Sequence, residues 1–296
     1  MIKCTGCKGE GVRTKTFRRV TTFIDVMEDK SNLQAWGERM VLLGIAEDWK
    51  FAKGALDIDA TSSEGKNELN RRAKAAKEKA GASRKADQGT HLHAMSELVD
   101  QGLNLPTGIP IEDVMDMMAY KQGTTPFFKI EHMERLVVND DLGVAGTPDR
   151  VSSIDVENIS KLLERKLLNE EAFEVVDGVP HLIAPDGSLI GPDELLITDL
   201  KTGTVEYGAL KMAMQLAIYS RSKLYIKDST ERGEMLNVNQ KWGVIMHLAA
   251  GSGELVLYWT DLSLGWRAVE CAAEVHELRR LGRRALQPAL LMGTKV

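Results

Sequence analysis

The segment Leu195-Leu196-Ile197-Thr198-Asp199-Leu200-Lys201 constrains this chain more than any other. Its near-continuous apolar run predicts a strand covered on both faces, at the centre of a sheet. Burying a carboxylate there is costly unless another group answers it. Side chains alternate along a strand, so Asp199 and Lys201 share one face at its end. Asp-x-Lys alone occurs often by chance, and its meaning depends on what the rest of the chain brings to that end.

Two more strands are read at Arg135–Val138 and Val144–Val151, joined by a turn at Asn139-Asp140-Asp141. The second carries Gly146-Thr147-Pro148-Asp149. Glu206–Tyr225 reads as a helix, Trp242–Leu248 and Leu255–Trp259 as a hairpin about Gly251-Ser252-Gly253, and Leu262 to about Leu286 as a closing helix. Upstream, Leu33, Trp36, Met40 and Leu43 follow helical spacing. A helix is expected to open at Gly89-Thr90-His91-Leu92-His93 and another to run from Ile111 to Lys121. The expected fold is α/β: a central mixed sheet of about five strands flanked by helices, with an N-terminal helical portion. Residues 1–15 read as a tail and 16–296 as one domain, with a helical portion at 16–88 and a core at 89–286. Between Asp149 and Asp199 lie 49 residues, read as an insertion at about 152–194 with a hairpin turning at Pro185-Asp186-Gly187.

Charged residues make up 27% of the chain and hydrophobic ones 43%, a globular profile. No apolar run approaches the roughly 20 residues that span a bilayer, and the first residues lack a signal-peptide pattern. A cytoplasmic protein without a membrane partner is expected. The net charge of −5 averages over the surface and says little about local patches. From Ser62 to Lys85, eight lysines and arginines face three glutamates. A solvated helix face and a phosphate-contacting surface both account for that run. Cys4-x-x-Cys7 reads like half of a zinc ribbon, but a structural zinc needs four ligands. Two reduced thiols in a tail are expected there, and an adaptor role would rest on this pair alone.

Phosphodiester hydrolysis calls for hard cations, and carboxylates such as Asp149 and Asp199 are their natural ligands. Lys201 would then orient a water or stabilise developing charge. Further residues fall in a fixed order: Gly89-Thr90-x-x-His93-x-x-x-Glu97, Glu134, Gly146-x-x-Asp149, Asp199-x-Lys201-Thr202-Gly203 and Gln215-x-x-x-Tyr219. This order resembles the PD-(D/E)xK nuclease superfamily in its RecB-like exonuclease branch. Phage-type members look similar in the Val20-Thr21-Thr22 and Trp36 segment as well.

The resemblance implies a restriction-endonuclease-like core and a Mg²⁺- or Mn²⁺-dependent deoxyribonuclease, an exonuclease on single strands or DNA ends. Such an enzyme serves recombination, repair or phage DNA processing, in the host cytoplasm if phage-encoded. It implies His93, Asp149, Asp199 and the Leu200 carbonyl as metal ligands, with His91 a competitor for His93. Glu134 stands either as a further metal contact or as a surface glutamate. Asp149, Asp199 and Lys201 would be catalytic, while Thr202, Lys211, Gln215 and Tyr219 would meet DNA. Lys211, Gln215 and Tyr219 recur every four residues and read as one polar stripe. The cluster-bearing branch needs four cysteines; only Cys271 lies near the C-terminus, so no iron–sulfur cluster is expected. No phosphate-binding loop appears, so a helicase or recombination partner would be another chain. An endonuclease of restriction or junction-resolving type, or a non-catalytic DNA-binding subunit, are the alternatives on the same fold.

Overall fold

The computed structural model describes residues 16–227 and 229–286, so the expectations for Cys4 and Cys7 fall outside it. The chain divides into two compact units, one of Asp29–Met95 and one made of the residues up to Glu28 and from Ser96 onward. The stretch before Asp29 belongs with the unit that carries the sheets rather than with the helical portion. That stretch holds β1 (Arg18–Arg19) and α1 (Val20–Ile24).

The smaller unit is helical, with α2 (Ser31–Glu47), α3 (Ser63–Lys79) and the first part of α4 (Arg84–Asp100). Ser62 caps α3, its hydroxyl accepting from the Gly65 N–H at 3.0 Å. The helices α2 and α3 meet backbone to backbone: a Cβ at Gly44 would stand 1.8 Å from the Ala76 carbonyl oxygen. Within the basic run, Glu68 receives both Arg71 and Arg72, and Lys77 lies over the Trp36 ring. Helix α4 starts before Gly89, which lies inside it; an interior glycine costs only about 1 kcal/mol and need not mark a start.

The larger unit continues with α5 (Ile111–Thr124), β2 (Phe128–Met133), β3 (Val137–Asn139), β4 (Val144–Gly146) and β5 (Arg150–Ile154). Next come α6 (Val156–Glu164), β6 (Phe173–Val176), β7 (Val179–Ile183), β8 (Leu189–Ile190), β9 (Leu196–Lys201) and α7 (Ala209–Ser220). It closes with β10 (Lys223–Tyr225), β11 (Arg232–Gly233), β12 (Trp242–Leu248), β13 (Leu255–Asp261) and α8 (Leu262–Leu281). The main sheet has five strands in the order β13-β12-β9-β5-β2, with β9 central as expected. It is mixed: β9 and β12 run parallel and the other neighbours antiparallel. A second sheet takes the order β1-β4-β3-β10-β11, and a third is β6-β7-β8.

Two expectations are corrected. Val144–Val151 is not one strand but β4 and β5, which belong to different sheets. Pro148 lies in the break, where it has no N–H to give a ladder. The edge strand β2, absent from the sequence reading, pairs with β5 through a bulge near Glu131. The inserted material begins only after β5. Its Asp186 takes the Trp242 indole N–H at 2.9 Å and pairs with Lys241, so it docks where β12 begins, upstream of the level of Asp199.

The two faces of the main sheet differ. On one, Val151, Ile197 and Ile245 form a core with α1, α7 and α8. A Cβ at Gly265 of α8 would stand 2.3 Å from the Ala213 carbonyl oxygen of α7, so these helices also touch through backbone. On the other face, Arg150, Ser152, Thr198 and Met246 line a cleft of about 380 Å³ with Asp100 and Tyr120. Among the described residues, no helix is long and apolar enough to cross a membrane.

Candidate active site

The register of β5 and β9 decides whether the two aspartates meet. Arg150 pairs with Thr198 in an antiparallel ladder, so the next step places Asp149 across from Asp199. The Asp149 carboxylate accepts the Leu200 N–H at 2.9 Å, which brings the two segments into contact despite their distance in sequence. Pro148 explains why Asp149 can do this: with the ladder interrupted, the side chain turns back onto the neighbouring strand. Asp199 is 1% exposed and forms an ion pair with the ammonium of Lys201, which is 27% exposed. The shared face inferred from strand alternation is therefore realised as a contact.

Two glutamates add to the charge. Glu134 follows β2 in the left-handed region, φ 48°, which costs a non-glycine residue roughly 1–3 kcal/mol. Its N–H donates to the Asp149 carbonyl at 3.1 Å, so the strained residue is tied to the aspartate loop. Its side chain reaches solvent. Partial burial, then the charges of Asp149, Glu97 and Asp199, push its carboxyl up to about 7 against the pull of Arg150. Burial and Glu97 likewise raise Asp149, while Lys201, Arg150 and the Leu200 N–H oppose the shift. Glu97, Glu134, Asp149 and Asp199 thus outnumber Lys201 and Arg150, and carboxylates held together in that way favour a further cation. Hard oxygen donors suit Mg²⁺ or Mn²⁺. Among the described residues, no three His, Cys, Asp or Glu stand close enough to enclose a metal ion, so the expected ligands do not form a closed cage.

The remaining candidates are placed as follows. His93 lies on α4 one turn before Glu97, in the part of the helix that belongs to the smaller unit. The polar stripe of α7 is corrected: Tyr219 is 3% exposed, because its ring packs against Gly146 at the end of β4. Its ring is why Gly146 is glycine, since a Cβ there would lie 2.8 Å from the Tyr219 ring and hydroxyl. Gln215 donates to the Tyr219 hydroxyl at 3.4 Å, and burial, with Asp199 and Asp149 nearby, pushes that phenol up. Tyr219 therefore braces the loop that carries Asp149. Lys211 is bound to Asp25 at 2.7 Å and Glu28 at 2.8 Å rather than presented alone to solvent. The Thr202 carbonyl accepts the Ala250 N–H at 3.3 Å, joining the loops after β9 and β12.

Two residues went unremarked in the sequence. Arg150 directly follows Asp149 and points to the opposite face, where it meets Asp100 and the Ser96 hydroxyl. His247 pairs in register with Lys201. No family model matches the chain, and no curated protein matches it.

Proposed function

We propose that this chain is a Mg²⁺- or Mn²⁺-dependent deoxyribonuclease of the PD-(D/E)xK type, with a restriction-endonuclease-like core, acting on single strands or DNA ends. The contact between Asp149 and the Leu200 N–H carries this reading, because it sets two carboxylates and the Lys201 ammonium at one strand end. Asp149, Asp199 and the Leu200 carbonyl would hold the ion, with Glu134 adding negative charge beside them rather than a third carboxylate ligand. The ion supplies charge neutralisation at the phosphate and acidifies a water. Lys201 supplies a positive charge where negative charge grows on the phosphoryl oxygens. Asp199 holds that ammonium on the reacting side, and Tyr219 with Gly146 fixes the loop that positions Asp149.

End-labelled linear DNA and closed circular DNA, each with Mg²⁺ or Mn²⁺, test the reading. Wild type should degrade linear strands from their ends and leave circles intact, while Asp199→Ala and Lys201→Ala should leave both intact. Cutting of circles would replace the exonuclease by an endonuclease on the same centre. Absence of metal-dependent cleavage by wild type would overturn the nuclease reading.

A further inference from the structure

Among the described residues, a polar atom near this centre has no hydrogen-bond partner. It is the Nε2 of His247, which is buried. A buried ring nitrogen left this way asks for an explanation, because nearly all such groups are satisfied in native proteins. The surroundings supply one. His247 on β12 is the register partner of Lys201 on parallel β9, so the two side chains project from the same face as immediate neighbours. Its ring is steadied by Tyr258 on the other side, the centroids 6.1 Å apart. The strand beyond offers Val256 as its register partner, an apolar residue that cannot bond to the ring.

Lys201 is the mobile member of the pair. Its ammonium now sits on Asp199, yet it ends a flexible four-carbon stem that can turn about its own strand position. Anything that engages Asp199 elsewhere releases that ammonium. An ammonium donates and a neutral imidazole nitrogen accepts, so the two groups are complementary.

We infer that His247 is a positioning residue that gives the Lys201 ammonium a second seat, on its Nε2, when Asp199 is engaged by another cation. The inference deepens the nuclease reading and partly rests on it: Lys201 would stay anchored at the strand end, aimed at the phosphate, after its carboxylate partner is taken. Without that seat the freed lysine would sample many rotamers.

Nitrogen-15 spectra of the histidine rings in the full chain test this without relying on cleavage. Asp199→Asn weakens the hold on Lys201 without any metal. It should move the His247 Nε2 resonance, and Asp199→Asn combined with Lys201→Ala should not. Mg²⁺ added to wild type should move the same resonance in the same direction. Cleavage supplies the second arm: His247→Phe, which keeps the ring, should lower kcat about 10-fold or more with KM unchanged, and His247→Gln should restore part of it through its amide oxygen. A resonance that ignores Asp199→Asn, or moves equally without Lys201, overturns the inference. So does full activity in His247→Phe. Inactive wild type with the expected shifts in Asp199→Asn would remove the nuclease reading and leave the second seat standing.

Discussion

Two buried aspartates on opposite faces of the same sheet each hold one basic side chain, and they differ in everything around that pair. Asp100 meets Arg150, the two side chains being 5% and 3% exposed. It also accepts the Tyr120 hydroxyl at 3.0 Å, and Arg150 reaches the Ser96 hydroxyl at 2.7 Å. Charge is balanced, and the guanidinium is bonded through two of its nitrogens. Burial still raises Asp100, against the pull of Arg150 and the Tyr120 hydroxyl. Asp199 instead pairs with Lys201, which is partly open to solvent, in the company of Asp149, Glu134 and Glu97. A closed network of the first kind holds elements in place. An open cluster with surplus negative charge is poorly suited to that task, and such arrangements gather where proteins do chemistry.

The largest contrast should appear when each aspartate is neutralised. Asp199→Asn should lower metal-dependent cleavage by about 10²–10³-fold or more while leaving the unfolding midpoint equal or higher, since it relieves like-charge repulsion. Asp100→Ala should do the opposite. Stranding Arg150 in the interior should cost about 3–5 kcal/mol in denaturant unfolding, with cleavage per folded molecule retained. If both substitutions act alike on both measurements, the distinction between a structural and a functional pair fails.

A smaller effect tests how the open cluster is braced. Gly146→Ala forces a Cβ against the Tyr219 ring and hydroxyl at 2.8 Å, and overpacking of this kind costs about 1–3 kcal/mol. Because the loop carries Asp149, cleavage should fall as well, whereas a substitution at the Arg150 network should not affect it.

The smallest effect is a pH signature. The Glu134 carboxyl is raised from 4.5 to about 7, so across that window the native state keeps a proton that the unfolded chain has lost. Stability therefore falls as pH rises from 4.5 to about 7, and the deficit persists above it. Melting temperature followed across that range should show this slope in wild type. The slope should flatten in Glu134→Gln, and saturating Mg²⁺ should offset the loss above pH 7.

These features were unequally legible in the sequence. Strand alternation was enough to place Asp199 and Lys201 together, and an apolar run was enough to make β9 central. Pro148 was visible, but its effect, splitting one apparent strand between two sheets, depends on where β1 and β3 lie. The alternation of Phe128, Ile130 and His132 in β2 was available and unread. Burial of Tyr219 was not available at all, because the Gly146 backbone that its ring packs against lies far upstream in the chain. Likewise the partners of Lys211, Asp25 and Glu28, lie at the far end of the sequence. Local chemistry could be read from spacing; which polar side chain stays polar in its surroundings required the packing.

The central claim is that Asp149 and Asp199 form one cleaving centre. Metal-dependent cleavage rates of Asp149→Ala, Asp199→Ala and the double variant test it most directly. Residues that act as a unit are strongly non-additive, so each single variant should lose about as much as the double. Independent, multiplying losses, or activity that survives the double substitution, would contradict it.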